Sequence, residues 1–293
     1  MNMLKNHLQK VTVNQLVAIG RKALENYGKA DAAIDARLLA LDILQYTSSQ
    51  LILHGNDEVS DSIKESYMQM ITQRSQGMPL QYITKNQEFM GLTFYVDERV
   101  LIPRQDTETL VETIVEYSKK NRVEKALEVG VGSGCISISL VHYIKGMHIT
   151  AIDICENALA VAEKNVKAHR LEEHITLLQS DLFKDYDGEE ESLDLIVSNP
   201  PYITLDECDE LMEEVKDHEP RKALTDEGDG LKFYREITKE GKRYLKKNGL
   251  LAYEIGYLQG QDVCCILEQE GFYNIKLIQD LAGKDRVVIG MKL

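Results

Sequence analysis

The stretch Lys125-Ala126-Leu127-Glu128-Val129-Gly130-Val131-Gly132-Ser133-Gly134 decides the fold. Its first half lies in a short apolar run, and residues 124–129 read as a buried strand. Its second half sets glycines at alternate positions before a helical pattern over 133–145. A strand that breaks into glycines and then a helix is the turn at which open α/β sheets bind nucleotides. Glycine there accepts dihedrals that a Cβ forbids and lets backbone approach a ligand closely. The spacing is GxGxG, not the dinucleotide GxGxxG, so a plain tight turn competes with a nucleotide cradle.

Toward the C-terminus, candidate strands at 148–152, 174–179, 193–198, 249–255, 273–279 and 286–292 alternate with helical patterns, notably 156–170, 231–247 and 258–270. Such alternation implies an α/β fold, a mainly parallel sheet with helices on both faces. The last two strands are separated by Ala282-Gly283-Lys284-Asp285, a link short enough for a hairpin, so the seventh strand is expected to be antiparallel.

Toward the N-terminus, residues 1–77 read as a small helical bundle. One face carries Leu16, Val17, Leu24 and Tyr27, a second Ile34, Leu38 and Leu41, a third Ile63, Tyr67, Met70 and Ile71. Turns fall around Gly28 and His54-Gly55-Asn56-Asp57. A β-hairpin follows, with Phe89, Leu92, Phe94 and Val96 on one arm and Val100-Leu101-Ile102 after a charged turn at Asp97-Glu98-Arg99. Pro103 ends it, and Asp106 or Thr107 is expected to cap the next helix. The division is 1–80 helical domain, 81–105 hairpin linker and 106–293 catalytic domain.

The 293 residues carry 34 Lys+Arg against 48 Asp+Glu, a net charge of -14, which argues against a chain built to coat phosphate backbones. Five cysteines with no CxxC spacing read as reduced thiols. There is no signal-peptide h-region and no run long enough to span a membrane, so a cytoplasmic protein with no membrane partner is expected. The histidines are scattered, with no HExxH or paired Cys/His pattern, and no metal is expected.

Two more elements complete the candidate site. Asp153 closes the strand after the glycine loop, where a carboxylate accepts from ribose hydroxyls or caps the helix before Glu156. Asp181, after the third strand, suits an adenine edge or a turn. Ser198-Asn199-Pro200-Pro201-Tyr202 follows the fourth strand directly. Two prolines fix φ and remove two N–H donors, leaving rigid carbonyl acceptors; Asn199 adds a side-chain carbonyl and Tyr202 a flat face. Acceptors beside an aromatic suit a planar group bearing NH2, either a carboxamide or an exocyclic amine. The competing reading is a proline-stiffened turn.

Together these motifs resemble S-adenosylmethionine-dependent amino-group methyltransferases of the Rossmann-like type. Gly77-Met78-Pro79-Leu80-Gln81-Tyr82-Ile83, Glu88-Phe89-Met90-Gly91-Leu92, Leu101-Ile102-Pro103-Arg104 with Thr107-Glu108, Glu219-Pro220-Arg221-Lys222-Ala223-Leu224 and Gly228-Asp229-Gly230-Leu231-Lys232-Phe233-Tyr234 resemble the release factor glutamine methyltransferase (HemK/PrmC) family over about residues 10–293. The resemblance implies N5-methylation of the glutamine in the Gly-Gly-Gln motif of class I peptide chain release factors, with S-adenosyl-L-methionine as cofactor and the helical domain serving substrate recognition. Carried over by position, Gly130, Val131, Gly132, Ser133 and Gly134 cradle the methionine part. Asp153 holds the ribose, Asp181 and Leu182 border the adenine, and Asn199, Pro200, Pro201 and Tyr202 hold the glutamine, with Asn199 also beside the cofactor. Asn199, Pro200 and Tyr202 are the expected catalytic residues. Glu128 and Val131 stand where the family usually shows Asp and Thr, and Lys85 where Gly is common. A ribosomal-protein glutamine methyltransferase and an N6-adenine methyltransferase are the alternatives. The second would need to grip phosphates, which the acidic total disfavours.

Overall fold

A computed structural model describes residues 10–293. The chain divides into two compact units, one ending at Lys85 and one running Asn86–Leu293. The helical unit holds α1 (Val13–Asn26), α2 (Ala32–Leu44), α3 (Ser48–Leu53), α4 (Asp61–Ser75) and α5 (Leu80–Thr84). α1 and α3 begin with reciprocal capping boxes, Thr12 with Gln15 and Thr47 with Gln50. Leu16, Leu24, Tyr67 and Ile71 enter its core as their spacing predicts. The α2 face does not: Ile34 and Leu38 are exposed, while Asp35, Ala36, Leu39 and Ala40 are buried. Small alanines permit close packing, and Asp35 is tolerated inside because the buried Arg74 guanidinium donates to it at 2.6 Å. Tyr27 lies beyond the end of α1 and is exposed. Lys85 ends α5 in the left-handed region at φ 56°, which is why a glycine sits comfortably there.

The second unit opens with a hairpin of β1 (Gln87–Phe89) and β2 (Leu92–Phe94). The turn is therefore at Met90-Gly91, both with positive φ, and not at 97–99 as the sequence implied. Val100–Ile102 forms no strand; Asp97 instead closes a local turn by accepting from the Arg99 backbone and guanidinium. Then come α6 (Gln105–Ser118), β3 (Lys125–Val129), α7 (Cys135–Tyr143), β4 (His148–Asp153), α8 (Glu156–His169), β5 (Ile175–Gln179) and β6 (Leu193–Ser198). After them follow α9 (Leu205–Asp209), α10 (Glu213–His218), α11 (Lys232–Tyr244), β7 (Leu245–Glu254), α12 (Gly260–Gln269), β8 (Phe272–Gln279) and β9 (Asp285–Lys292).

The sheet order is β5-β4-β3-β6-β7-β9-β8, parallel from β5 to β7, with β9 antiparallel to both its neighbours. This is the expected seven-stranded Rossmann-like sheet. One apolar cluster lies on each face: Leu110, Ile114, Ile138 and Leu195 on one, Leu127, Ile196, Tyr234 and Tyr253 on the other. The helix expected to reach residue 247 stops at Tyr244. β7 starts at once because Leu245 pairs with Leu193, and the register slips before Leu250. Asn248 at φ 65° and Gly249 absorb that slip. α6 starts one residue before Asp106, and neither Asp106 nor Thr107 caps it. Asp106 instead pairs with Arg286 at 3.0 Å, and Thr107 is buried.

Candidate active site

Parallel strands end at one edge, and β4, β3 and β6 are neighbours there, so Asp153, the glycine loop and the tetrapeptide converge. The Gly130 and Val131 amides donate to the Ile152 carbonyl at 2.9 and 3.0 Å, clamping the loop to β4. Gly130 and Gly132 have φ of 81° and 53°, and a Cβ at either would enter open space. Gly134 differs. Its Cβ would meet Ile138 at 3.3 Å and Ala162 at 3.6 Å, so it lets the start of α7 pack on α8. Asn165, on α8 and buried, donates to the Ser133 carbonyl at 2.8 Å and fixes the loop from behind.

The Asp153 carboxylate accepts from the Gly132 amide at 3.0 Å and the Cys155 amide at 2.9 Å. Burial raises its pKa, and these backbone donors oppose the shift. The helix cap itself is Cys155. Glu128 is 1% exposed, and burial pushes its carboxyl up to about 8 despite two hydrogen bonds from Ser137, one from its backbone amide at 3.0 Å and one from its hydroxyl.

The segment after β6 is braced along its length. The Ser198 hydroxyl donates to the Val129 carbonyl at 2.7 Å, tying β6 to β3. The Asn199 Nδ2 donates to Thr107 Oγ1 at 3.4 Å. The Tyr202 carbonyl accepts from Gln259 Nε2 at 3.0 Å, and its hydroxyl donates to Glu254 Oε1 at 3.3 Å. Gly230, at φ 74°, passes so close that a Cβ would lie 2.4 Å from the Tyr202 carbonyl oxygen. Burial beside Glu254 raises the Tyr202 hydroxyl well above its ordinary value, and burial pushes Glu254 itself up to about 7.

These elements surround a cavity of about 610 Å³. Gly130, Val131, Gly132, Ser133, Asp153, Asp181, Leu182, Asn199, Pro200 and Pro201 all line it. Two of the expected site residues do not. Gly134 faces α8, and Tyr202 points its hydroxyl into the protein toward Glu254. The far wall is Arg99, Val100, Leu101, Pro103 and Arg104 with Thr107, and the turn Pro220–Ala223, joined by the ion pair of Arg104 with the buried Glu219. Glu254, Gln259, Asn165 and Arg286 escape a reading by motif. The sequence signal for Glu254 is a carboxylate inside an otherwise apolar strand, Leu250-Leu251-Ala252-Tyr253-Glu254-Ile255. Among the described residues no cluster of His, Cys, Asp and Glu could hold a metal, and no helix is long and apolar enough to cross a membrane.

Residues 15–84 match the family model described as PrmC N-terminal domain, and residues 105–255 the one described as Methyltransferase small domain. A release factor glutamine methyltransferase of Clostridium acetobutylicum is 41% identical over 258 residues, 88% of this chain and 90% of the relative. A protein of the same name from Clostridium botulinum is 38% identical over 275 residues, 92% of this chain and 97% of the relative. Among solved structures, a methyltransferase from Pyrococcus furiosus matches with a TM-score of 0.51 over 72% of this chain and 93% of its own, at 18% identity, a likeness of fold.

Proposed function

The chain belongs to the release factor glutamine methyltransferases, and from that premise we propose that it transfers a methyl group from S-adenosyl-L-methionine to the side-chain amide nitrogen of the Gly-Gly-Gln glutamine of class I release factors. The observation that carries this reading is that the glycine cradle and Asn199-Pro200-Pro201 open onto one cavity. The cradle fits the cofactor: Gly130 and Gly132 leave open the volume a Cβ would fill, and the Asp153 carboxylate stands at its wall. Gly130, Val131, Gly132 and Ser133 would hold the methionine part, Asp153 the ribose, and Asp181 with Leu182 the adenine. When bound, the cofactor supplies an electrophilic sulfonium methyl with a neutral thioether leaving group.

The residues of this chain address the weakness of the other reactant. A carboxamide nitrogen is a poor nucleophile because its lone pair is delocalised into the carbonyl. Asn199 Oδ1 and the Pro200 carbonyl accept the two N–H groups, which turns the remaining electron density toward the cofactor. The two prolines keep those acceptors rigid. Proximity and alignment then supply the acceleration, and the methylated nitrogen releases one of its protons to solvent after transfer. The helical unit adds recognition surface for a protein substrate, and removing it should leave cofactor binding intact while sharply lowering turnover of intact release factor.

The test is incubation with methyl-labelled cofactor and three acceptors: a class I release factor, a ribosomal protein and DNA. Label mapping to the glutamine of Gly-Gly-Gln is expected. Label confined to another acceptor would overturn the proposal.

A further inference from the structure

Arg99 stands on a segment that hydrogen bonds tie to the glycine loop. The buried Asn165 side chain holds both at once. Its Nδ2 donates to the Tyr95 carbonyl at 2.9 Å and to the Ser133 carbonyl at 2.8 Å, and its Oδ1 accepts from the Tyr95 amide at 2.7 Å. From Tyr95 the chain reaches Arg99 through Asp97, which is buried and accepts from the Tyr95 hydroxyl at 2.9 Å. Asp97 takes one edge of the Arg99 guanidinium: Oδ1 accepts from Nε at 2.8 Å and Oδ2 from Nη2 at 2.6 Å. The other edge, Nη1 with the second hydrogen of Nη2, meets no acceptor among the described residues, and Arg99 lines the cavity. A guanidinium with one edge pinned and the other free is suited to receive a carboxylate in parallel.

The two groups brought together in the proposed reaction, a glutamine side chain and the cofactor, contain one anion, the α-carboxylate of the cofactor's methionine part. The cradle side offers it no positive charge, because the ionisable side chains there are the carboxyls of Glu128, Asp153 and Asp181. The amides of Gly130, Val131, Gly132 and Gly134 are already given to protein acceptors at Ile152, Asp153 and Val131. Of the other cations that line the cavity, Arg104 is engaged by the buried Glu219. Arg221, Lys222 and Lys232 are exposed, and no hydrogen bond among the described residues ties them to the loop. We propose that Arg99 binds the methionine carboxylate of the cofactor, and that Asn165, Tyr95 and Asp97 are positioning residues that fix its guanidinium relative to the glycine loop. This rests on the reading above, in which Gly130 to Ser133 hold the methionine part. Its consequence is selectivity: the site distinguishes an intact amino-acid tail from one that lacks the carboxylate.

The experiment is calorimetry on the full chain at fixed ionic strength with two ligands, S-adenosylhomocysteine and its decarboxylated analogue, which keeps the nucleoside and the amine. Arg99→Gln should weaken S-adenosylhomocysteine by about tenfold to 100-fold, as the loss of charge-assisted hydrogen bonds predicts, and should change the analogue by less than about twofold. Arg99→Lys keeps the charge without the fork and should fall between wild type and Arg99→Gln. Lys222→Gln removes a charge from the same cavity wall and should leave the preference between the ligands intact. Asn165→Ala should narrow that preference; an unchanged one would strike Asn165 from the positioning role. Arg99→Gln leaves Asp97 buried with the Tyr95 hydroxyl alone, so Asp97→Asn with Arg99→Gln is measured beside it and should show the same narrowed preference. Equal weakening of both ligands by Arg99→Gln would make Arg99 a wall residue and overturn the proposal, as would an equal effect of Lys222→Gln. If wild type binds S-adenosylhomocysteine and Arg99→Gln matches it, Arg99 is removed while the site reading stands. If wild type binds neither ligand, both readings fall.

Discussion

The loops after β3 and β6 leave the sheet from paired residues, Val129 and Ser198, but one is kept open and the other braced from behind. After β3, the chain clears a volume: Gly130 and Gly132 put no atom where a side chain would go. After β6, it is braced by hydrogen bonds, with Thr107 on the Asn199 side chain, Glu254 on the Tyr202 hydroxyl and Gln259 on its carbonyl. The difference follows from what each must do. A loop that receives a ligand is shaped by the ligand's outline. A loop that must aim two lone pairs has to be immobile before anything arrives.

The contrast breaks most visibly at Gly132. Gly132→Val places a branched side chain in the cradle at φ 53°, and calorimetry with S-adenosylhomocysteine should show binding weakened beyond about 100-fold. Gly134→Ala is the control within the same loop. It should lower stability by about 1–2 kcal/mol through its φ of 82° and leave affinity nearly unchanged. Equal losses of affinity at both positions would mean that the loop is a single rigid turn with no division of labour.

On the braced side, Asn199→Ala should cut methyl transfer by about 100-fold or more with a small change in melting temperature, read from initial rates under saturating cofactor. Near-normal rates would reduce the tetrapeptide to a stiff turn. Asn199→Asp keeps the Oδ1 acceptor but replaces the donor to Thr107 with a second, charged acceptor, and should be nearly as slow.

Asp153→Ala should weaken cofactor binding by about tenfold to 100-fold, the range of one to two charge-assisted hydrogen bonds. Because the carboxylate also accepts from the Gly132 amide, part of that loss should come from a loosened cradle. Unchanged affinity in a folded variant would remove Asp153 from the site.

The remaining effect is on stability alone and concerns Glu128. Its folded-state value is pushed up to about 8 from an ordinary 4.5 by burial. Between those values the unfolded chain ionises and the folded one stays protonated. The contribution to stability is therefore fully present below the ordinary value and lost as pH rises toward about 8. Melting curves from pH 6 to 8.5 should fall with pH, and Glu128→Gln should flatten that slope. An identical slope in the variant would mean that Glu128 ionises normally in the fold.

How much of this could be read in advance depends on what each residue reveals by itself. Strand-helix alternation from residue 123 onward follows from apolar periodicity, which is local, and the seven strands were legible from it. The short link Ala282–Asp285 even disclosed the antiparallel strand. Partnerships across the fold were not legible. Asp35 looks like a surface residue until Arg74, on another helix, is brought to it. Ile34 and Leu38 look like core by their spacing, but the alanines beside them pack closer. Tyr202 reads as a stacking face, and only the arrival of β7 turns its hydroxyl toward Glu254. The hairpin was displaced because Asp97-Glu98-Arg99 imitates a strand-joining turn, whereas the positive φ at Met90 and Gly91 makes the tighter one.

The interior place of β9 has a consequence for synthesis. Glu254 pairs with Val287, and Arg286 reaches from β9 to Asp106 at the start of α6. The strand that joins β7 to β8 is made after both of them. During translation the chain can assemble its cradle early, from β3, β4 and α7, while β7 gains its second neighbour only once residues 285–292 have been made. A nascent chain would therefore hold both site loops before its sheet is closed at the β8 edge. Long-range closure of this kind is the slow step in sheet folding.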